Sequence, residues 1–250
     1  MKNKKNKCIE EWEDKQREYT RYMEIIEGRI KKGEYIRIME CISDEIIARG
    51  EDGYLRQKRS KGNKNGFCKN KYCPVCREIK QKKEQAKIKK RLEEYKGDRL
   101  YIFTLSMKEG VKSKEIGKQI KKNNEIFKLL INRAYKPLGY VKTVEISELE
   151  GIYNCHIHSI LIYKKRSKVE PEELLINFIM KMNRNYSIDF QEIKGKNGVE
   201  KVISYITVSE KKKIHNLGEK ALIGEIEKIK STSHKYTYGG VLSNRKKEIS

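Results

Sequence analysis

The stretch from Tyr153 to Tyr163 (YNCHIHSILIY) constrains the fold of this chain more than any other segment. It is apolar, rich in isoleucine and tyrosine, and long enough to span a sheet, which predicts a β-strand. Because the side chains of a strand alternate between its faces, His156 and His158 project from one face while Ile157 points to the other. Two neutral imidazoles on one rigid strand form half of a divalent-metal site, although the same pattern also fits two polar residues on a solvated face.

The charge of the chain indicates the chemistry of its partner. The 250 residues include 58 Lys and Arg against 35 Asp and Glu, a formal net charge of +23 at pH 7. A protein this basic favours a polyanion, and nucleic acid is the commonest one. The sequence has no apolar run long enough to cross a membrane, and its amino terminus lacks the apolar stretch of a signal peptide. We therefore expect a cytoplasmic protein with reduced cysteines and no membrane partner.

Four of the six cysteines, Cys41, Cys68, Cys73 and Cys76, lie in one polar region. A C-x2-C turn such as Cys73-Pro-Val-Cys76 presents two thiolates to one tetrahedral zinc ion. So polar a segment could hardly bury enough apolar surface to hold a fixed shape without a metal. The spacing therefore predicts a small zinc-ordered element, and the alternative is a set of reduced thiols in a basic loop.

The segments around the histidine strand follow a regular order of strands and helices. Apolar alternation predicts strands, and a 3.6-residue apolar period predicts helices. The order β-α-β-β-α-β-α is typical of an α+β, ferredoxin-like (split βαβ) domain with a central antiparallel sheet. The predicted strands are 100–107, 140–147, 153–163 and 186–193, and the predicted helices run from Ser113 to about 134, from Pro171 and from Val199. The second helix is predicted to bury Leu174, Leu175, Phe178, Ile179 and Met182.

A carboxylate and a tyrosine complete a candidate catalytic set. Glu145 lies on the strand before the histidine strand, so cross-strand proximity can bring it to His156 and His158 on one cation. Two imidazoles and one carboxylate leave coordination positions open, as a metal that polarises a phosphodiester requires. Tyr205 lies on the helix after the last strand. A tyrosine that attacks phosphate forms a phosphotyrosine and conserves the bond energy for later rejoining.

Four stretches in this order resemble the plasmid rolling-circle replication initiators of the HUH endonuclease superfamily, in the group with a cysteine segment before the nicking domain. They are FCKNKYCPVCR, IFTLS, GYVKTVEIS with YNCHIHSIL, and ISYIT, and the similarity covers residues 36–210. The resemblance implies that His156, His158 and Glu145 bind Mg²⁺ or Mn²⁺. It implies that Tyr205 nicks one strand at the origin, takes the 5′-phosphate, leaves a 3′-OH primer and later rejoins the strand.

The sequence departs from the family pattern next to the tyrosine. The family commonly has a carboxylate four residues before the tyrosine, where this chain has Lys201. Glu200, five residues before, is therefore the candidate general base. Asn154 stands where this group often has histidine, and Val208 stands where a lysine often follows the tyrosine. The basic residues expected to contact DNA are Lys69, Lys71, Arg77, Lys201, Lys211, Lys212 and Lys213.

The resemblance also implies a domain organisation and a set of partners. We expect a basic helical arm over 1–35, a Cys-rich zinc-type element with a charged helix over 36–96, the HUH domain over 97–210 and a basic tail over 211–250. The expected partners are plasmid origin DNA, single-stranded or extruded from a hairpin, the host helicase and polymerase, and a second copy in a homodimer. Two alternatives remain: an HUH transposase or relaxase with the same chemistry, and an inactive, zinc-stabilised DNA-binding regulator.

Overall fold

The computed structural model describes residues 14, 17–50, 67–95, 97–166, 168–193, 206, 217–232 and 236–243, with the backbone alone for 43–50. The chain divides into two compact units, one of Met1–Lys83 with Lys212–Leu222 and one of Glu84–Lys211 with Ile223–Ser250. The expected four-part division stays a prediction. In the described part of the chain, no helix is both long and apolar enough to cross a membrane.

Helices and strands are labelled here in chain order. The first helix, α1, covers residues 17–26. The other helices are α2 (Lys32–Gly50), α3 (Pro74–Glu93), α4 (Ile116–Leu129), α5 (Glu173–Met182) and α6 (Glu219–Ser231). The strands are β1 (Arg99–Met107), β2 (Gly139–Leu149), β3 (Ile152–Tyr163), β4 (Tyr186–Glu192) and β5 (Tyr236–Gly240).

The strands form one antiparallel sheet in the order β4-β1-β3-β2-β5. Its first four strands have the order expected of a split βαβ domain, which confirms the predicted α+β fold. The histidine strand β3 lies at the centre, between β1 and β2. A tight turn joins β2 to β3 through Glu150 and Gly151, whose φ angles of 54° and 85° are left-handed, as short hairpin turns require.

The two faces of the sheet bury different clusters. Ile157 and Leu161 of β3 belong to a cluster with Phe127 of α4. Ile160 and Ile162 belong to the opposite cluster, which contains Ile88 and Leu92 of α3 and also Ile206. Because side chains alternate along β3, His156 and His158 lie on the same face as Ile160 and Ile162. We call this side the histidine face.

The predicted buried face of α5 is wrong in part. Ile179 is buried, and Leu175 packs against the core as predicted. However, Leu174, Phe178 and Met182 are 85%, 63% and 72% exposed. The helix sequence ELLINFIMKM is apolar on more than one side, so two different stripes satisfy the helical period. Periodicity alone could not select the stripe that faces the sheet.

The sequence analysis did not predict α2, α6 or β5. The last of these pairs with the outer edge of β2 and begins with Tyr236, whose side chain is buried on the histidine face. The strand ends at Gly240, which has a φ of 58° and lies against the backbone of Leu138. A Cβ at this position would come within 2.1 Å of the Leu138 carbonyl oxygen, so a glycine is required there.

A buried lysine lies on the face of the sheet that packs against α4. The Lys142 ammonium donates a hydrogen bond to Asn124 Oδ1 and lies 4.6 Å from the ring centre of Phe127. Burial, with a smaller contribution from Lys128, lowers the pKa of Lys142 from 10.5 to about 8. The folded state therefore disfavours the charged form of this side chain.

We expect Lys142→Met to raise the free energy of unfolding at pH 7 by roughly 1–2 kcal/mol, because the buried charge is removed. Because the pKa is lowered on folding, the unfolded chain binds more protons than the folded chain between pH 8 and 10.5. The stability of the wild type therefore rises with pH in this range, and the gain from the substitution shrinks. Urea unfolding of both proteins at pH 7 and pH 10 measures this. Lys121→Met, an exposed change on α4, serves as the control, and an equal gain at both pH values would contradict the expectation.

Candidate functional site

The strand register brings the predicted metal ligands onto one face of the sheet. His156 of β3 lies directly opposite Glu145 of β2 on one side and Ser106 of β1 on the other. His158, one step along the same face, lies opposite Thr104 of β1. The central strand thus presents both imidazoles between two neighbouring strands that carry hydroxyl and carboxylate groups.

The carboxylate of Glu145 contacts His158 rather than the histidine directly opposite. Nε2 of His158 lies 2.7 Å from Glu145 Oε2, and Nδ1 lies 3.4 Å from the Thr104 hydroxyl. These side chains are partly exposed, 16% for His158 and 33% for Glu145. The hydrogen bond from His158 holds the pKa of Glu145 below its usual value, so the carboxylate stays ionised.

His156 has a separate partner. Its Nε2 lies 3.0 Å from the Ser147 hydroxyl, and the ring centres of the two histidines are 6.3 Å apart. Burial, assisted by the neighbouring His158, lowers the pKa of His156. The imidazole is therefore neutral at physiological pH, which is the form that binds a metal.

This donor set fits a divalent cation in chemistry. Two imidazole nitrogens and one carboxylate oxygen suit Mn²⁺, and the partial exposure of Glu145 leaves room for water or a phosphate oxygen as further ligands. In the described part of the chain the donor atoms of these three side chains do not all lie within 4.8 Å of one another, and Nε2 of His156 bonds to Ser147. A bound ion would compete with this hydrogen bond and with the hydrogen bond between His158 and Glu145.

The predicted nucleophile and the residues near it lie outside the described part of the chain. These are Tyr205, Glu200, Lys201, Lys211, Lys212 and Lys213. Ile206, which follows the tyrosine in sequence, is described and is completely buried in the cluster on the histidine face. The chain therefore reaches that face one residue after the predicted nucleophile.

The four cysteines predicted to bind zinc converge in the other unit. The sulfur atoms of Cys41, Cys68, Cys73 and Cys76 all lie within 4.8 Å of one another. The Cys76 sulfur is 3.8 Å from that of Cys41 and 3.5 Å from that of Cys68. A tetrahedral ion with metal–sulfur bonds of about 2.3 Å holds its sulfurs about 3.8 Å apart. The cluster thus has the spacing of a four-thiolate metal site.

Local turns between Cys68 and Cys73 bring these two cysteines into the cluster. Lys69 takes a left-handed φ of 54°, and the Asn70 side chain accepts a hydrogen bond from the Tyr72 amide at 2.9 Å. The Asn70 carbonyl accepts another from the Cys73 amide at 3.2 Å, so the chain doubles back between Cys68 and Cys73. The Tyr22 hydroxyl of α1 donates to the carbonyl of Tyr72, which fixes this loop against the first helix.

The electrostatics of the cluster favour a cation. Hydrogen bonds from neighbouring thiols, that of Cys41 first, lower the pKa of Cys68 and of Cys76. The hydrogen bond with Cys68 is the first cause of a raised pKa at Cys41, and the hydrogen bond with Cys41 is the first cause of a raised pKa at Cys73. Only a metal ion would let all four ionise together.

The predicted DNA-contacting residues near the cluster differ in exposure. Lys69 and Lys71 are exposed, and the Lys71 ammonium lies 5.1 Å from the ring centre of Tyr72. Arg77, in the first turn of α3, is half-buried. Their contact with DNA stays a prediction.

Sequence reasoning missed the hydroxyl groups that orient the histidines. Thr104 and Ser147 lie on the same face of the sheet as the imidazoles they contact. Knowledge of the strand pairing would therefore have identified them. It also gave no role to Asn154, two residues before His156 on the same face. The Oδ1 atom of Asn154 is buried and has no hydrogen-bond partner in the described part of the chain.

Fold and sites together define a class: an α+β protein with a histidine–carboxylate cluster on its central sheet and a four-cysteine metal-type cluster. Residues 59–250 match the sequence profile of the family described as "Replication protein". The chain therefore belongs to this replication-protein family, and the resemblance to plasmid rolling-circle initiators is confirmed.

Curated relatives of the chain carry the name "Protein rep". One, from Streptococcus pneumoniae serotype 2 (strain D39 / NCTC 7466), is 30% identical over 137 residues, which cover 51% of this chain and 41% of that protein. Another, from Staphylococcus aureus, is 26% identical over 63% of this chain and 70% of its own length. A third, from Lactiplantibacillus plantarum, is 22% identical over 98% of this chain and 83% of its own length. No solved structure matches the chain.

Proposed function

We propose that this protein initiates plasmid replication by nicking one strand of the origin DNA. The observation that carries the proposal is the Glu145–His158 contact of 2.7 Å beside His156, on the sheet face that also buries Ile206. The hydroxyl of Tyr205 attacks the scissile phosphorus. An oxygen–phosphorus bond to the tyrosine forms, the bond to the 3′ oxygen breaks, and that oxygen takes a proton to become the 3′-OH primer.

The side chains of the histidine face prepare this reaction. Glu145 is ionised and His156 is neutral, so the cluster is in the protonation state that accepts a cation. Mg²⁺ or Mn²⁺ held by His156, His158 and Glu145 would polarise the scissile phosphate. The Thr104 hydroxyl and the Glu145 carboxylate hold His158 from opposite ends of its ring, which fixes its orientation on the face. Glu200 is the proposed general base for the rejoining or release step.

The excess positive charge supports DNA as the substrate. A chain with a net charge of +23 attracts the phosphate backbone by releasing its counterions, and such binding weakens steeply with salt. The origin strand is proposed to arrive single-stranded or extruded from a hairpin, with Lys69, Lys71 and Arg77 among its contacts. The proposed metal of the cysteine cluster is zinc. A host helicase and polymerase would extend the primer.

Incubation of the protein with a supercoiled plasmid that carries the origin, in the presence of Mn²⁺, tests the proposal. We expect open circles with the protein joined to the 5′ end of the nicked strand. Unchanged plasmid without a protein–DNA adduct, across several divalent metals, would instead favour a DNA-binding regulator without catalytic activity.

Glu145→Gln should reduce metal-dependent nicking by roughly 10²-fold or more, because the amide keeps the shape of the side chain but removes its charge. DNA binding should keep its affinity and its salt dependence. The matched control is Asp189→Asn on β4, which removes another carboxylate beside Thr104 in the strand pairing. Nicking assays at graded Mn²⁺ concentrations separate the two variants. Equal loss in both would assign the effect to general surface charge.

A further inference from the structure

The outer side of α4 carries a dense group of positive charges that the histidine site does not use. Residues 112–129, the helix and the turn before it, hold six lysines against two glutamates, and all eight side chains are exposed. Residues three and four apart share one side of a helix, so Lys118, Lys121 and Lys128 lie along one line about 15 Å long. The six, called the α4 lysines here, are Lys112, Lys114, Lys118, Lys121, Lys122 and Lys128.

The α4 lysines lack the carboxylate partners that lysines have on other helices. Among the residues that the structure describes, none of the six forms an ion pair. Glu115 instead accepts a hydrogen bond from the backbone amide of Lys112 at 3.3 Å. Like charges three or four residues apart destabilise a helix, so the arrangement is unfavourable until an anion lies against it. By contrast, α3 and α6 have the ion pairs Lys82–Glu78, Lys87–Glu84, Lys228–Glu225 and Lys230–Glu227.

A buried lysine next to α4 adds to the positive potential of this side of the sheet. The ammonium of Lys142 donates a hydrogen bond to Asn124 of α4. Burial first, and then the charge of Lys128, lower the pKa of Lys142 to about 8, and among the described residues no carboxylate raises it. Lys142 is still mostly charged at pH 7, so a second cation lies close to Lys128 without a counter-ion. A phosphate group on the outer side of α4 would stabilise both charges.

The side chains of this surface suit duplex DNA better than a single strand. Proteins that hold single-stranded DNA combine basic groups with exposed aromatic rings on which the bases stack. The exposed residues of α4 are lysines, Glu125 and Leu129, whereas its aromatic residue, Phe127, is completely buried. Lysines without aromatic neighbours contact the phosphate backbone and do not read the bases.

The surface lies on the side of the sheet opposite the histidines. Ile126 and Phe127 of α4 pack in one cluster with Ile157 and Leu161 of β3, which point away from the histidine face. DNA on the outer side of α4 would therefore leave the histidine face open to the strand that is nicked.

We propose that the outer side of α4 binds the phosphate backbone of duplex DNA. The inference rests on the proposed function only in that it takes plasmid DNA as the partner. Contacts of this kind carry no sequence information, so they hold the plasmid duplex to the protein while other residues select the origin. Each contact releases counterions from the DNA, so binding to this surface weakens steeply as salt is added.

Fluorescence anisotropy with a labelled duplex of about 30 base pairs that lacks the origin, in EDTA to prevent cleavage, tests the surface. The variant replaces Lys118, Lys121 and Lys128 with glutamine. The slope of log affinity against log salt should become shallower by roughly 2–3, since each phosphate contact contributes about 0.9. The affinity at about 0.1 M salt should fall by roughly 10²-fold or more. A single-stranded oligonucleotide of the same length should lose much less affinity.

Two further triple variants separate a local contact from overall charge. Replacement of Lys164, Lys165 and Lys181 with glutamine removes the same charge from exposed positions outside α4, and it should leave the salt slope near that of the wild type. Replacement of the three α4 positions with arginine keeps the charge, and it should keep the affinity. All the substituted side chains are exposed, so each protein should retain the far-UV circular dichroism of the wild type.

Three results would overturn the proposal. They are wild-type affinity for the duplex in the α4 glutamine variant, an equal loss in the control triple variant, and an equal loss for the single strand and the duplex. Nicking has no part in this measurement. A wild type that binds the duplex through α4 but forms no adduct with origin plasmid would refute the proposed function alone.

Discussion

Tyr205→Phe should abolish the covalent protein–DNA adduct on supercoiled origin plasmid and lower the nicking rate by roughly 10⁴-fold or more, since the attacking oxygen is removed. The substitution deletes a single hydroxyl, so DNA binding and folding should remain as in the wild type. Denaturing gels of internally labelled plasmid measure the adduct, and filter binding at several salt concentrations measures the affinity.

Tyr236→Phe is the matched control for this experiment. Tyr236 is a second tyrosine near the proposed metal ligands. It pairs with Thr143, which lies opposite His158, and it belongs to the cluster on the histidine face. Burial raises the pKa of its hydroxyl, which makes it a poor nucleophile. We expect Tyr236→Phe to form the adduct at a rate near that of the wild type. An adduct that survives in Tyr205→Phe and disappears in Tyr236→Phe would reverse the assignment.

The part of the candidate site formed by the strands could be predicted from the sequence, because side chains alternate strictly between the two faces of a strand. Alternation alone places His156 and His158 on one face, and the short link between β2 and β3 forces Glu145 to a neighbouring position. What alternation could not supply is the choice among neighbours on that face. The carboxylate bonds diagonally to His158, and a serine takes His156, because side-chain length and rotamer decide these contacts.

The errors have a different origin. The helix α5 has two apolar stripes, and its own sequence does not decide which of them packs inward. That choice is made by the sheet and by the helical turn Leu130–Tyr135, which follows α4. The strand β5 is short and contains two glycines, so its propensity is weak. It becomes a strand because β2 offers an edge to pair with, which is a tertiary effect. Propensity and period therefore predict an element well only where its own sequence determines its burial.

The cysteine cluster supports the second prediction of large effect. We expect the purified protein to contain one zinc ion per chain, and we expect Cys73→Ser to lose it. The Cys73 side chain is completely buried, and its sulfur lies among three others. Elemental analysis measures the zinc, and far-UV circular dichroism with limited proteolysis measures the folding of α1 and α2. Cys155→Ala is the control, because Cys155 is equally buried but lies outside the cluster.

The size of the expected effect follows from the small number of bonds that hold the cysteine loop in place. Zinc binding to four thiolates contributes on the order of 10 kcal/mol, which is as much as the whole stability of a typical domain. The loop that carries Cys68 and Cys73 is held by a few turns and by the bond from Tyr22, each worth about 1 kcal/mol. Removal of the metal should therefore unfold this unit. A Cys73→Ser protein, or a chelated wild type, that keeps full helicity and protease resistance around α1 and α2 would show that the thiols are structural without a metal.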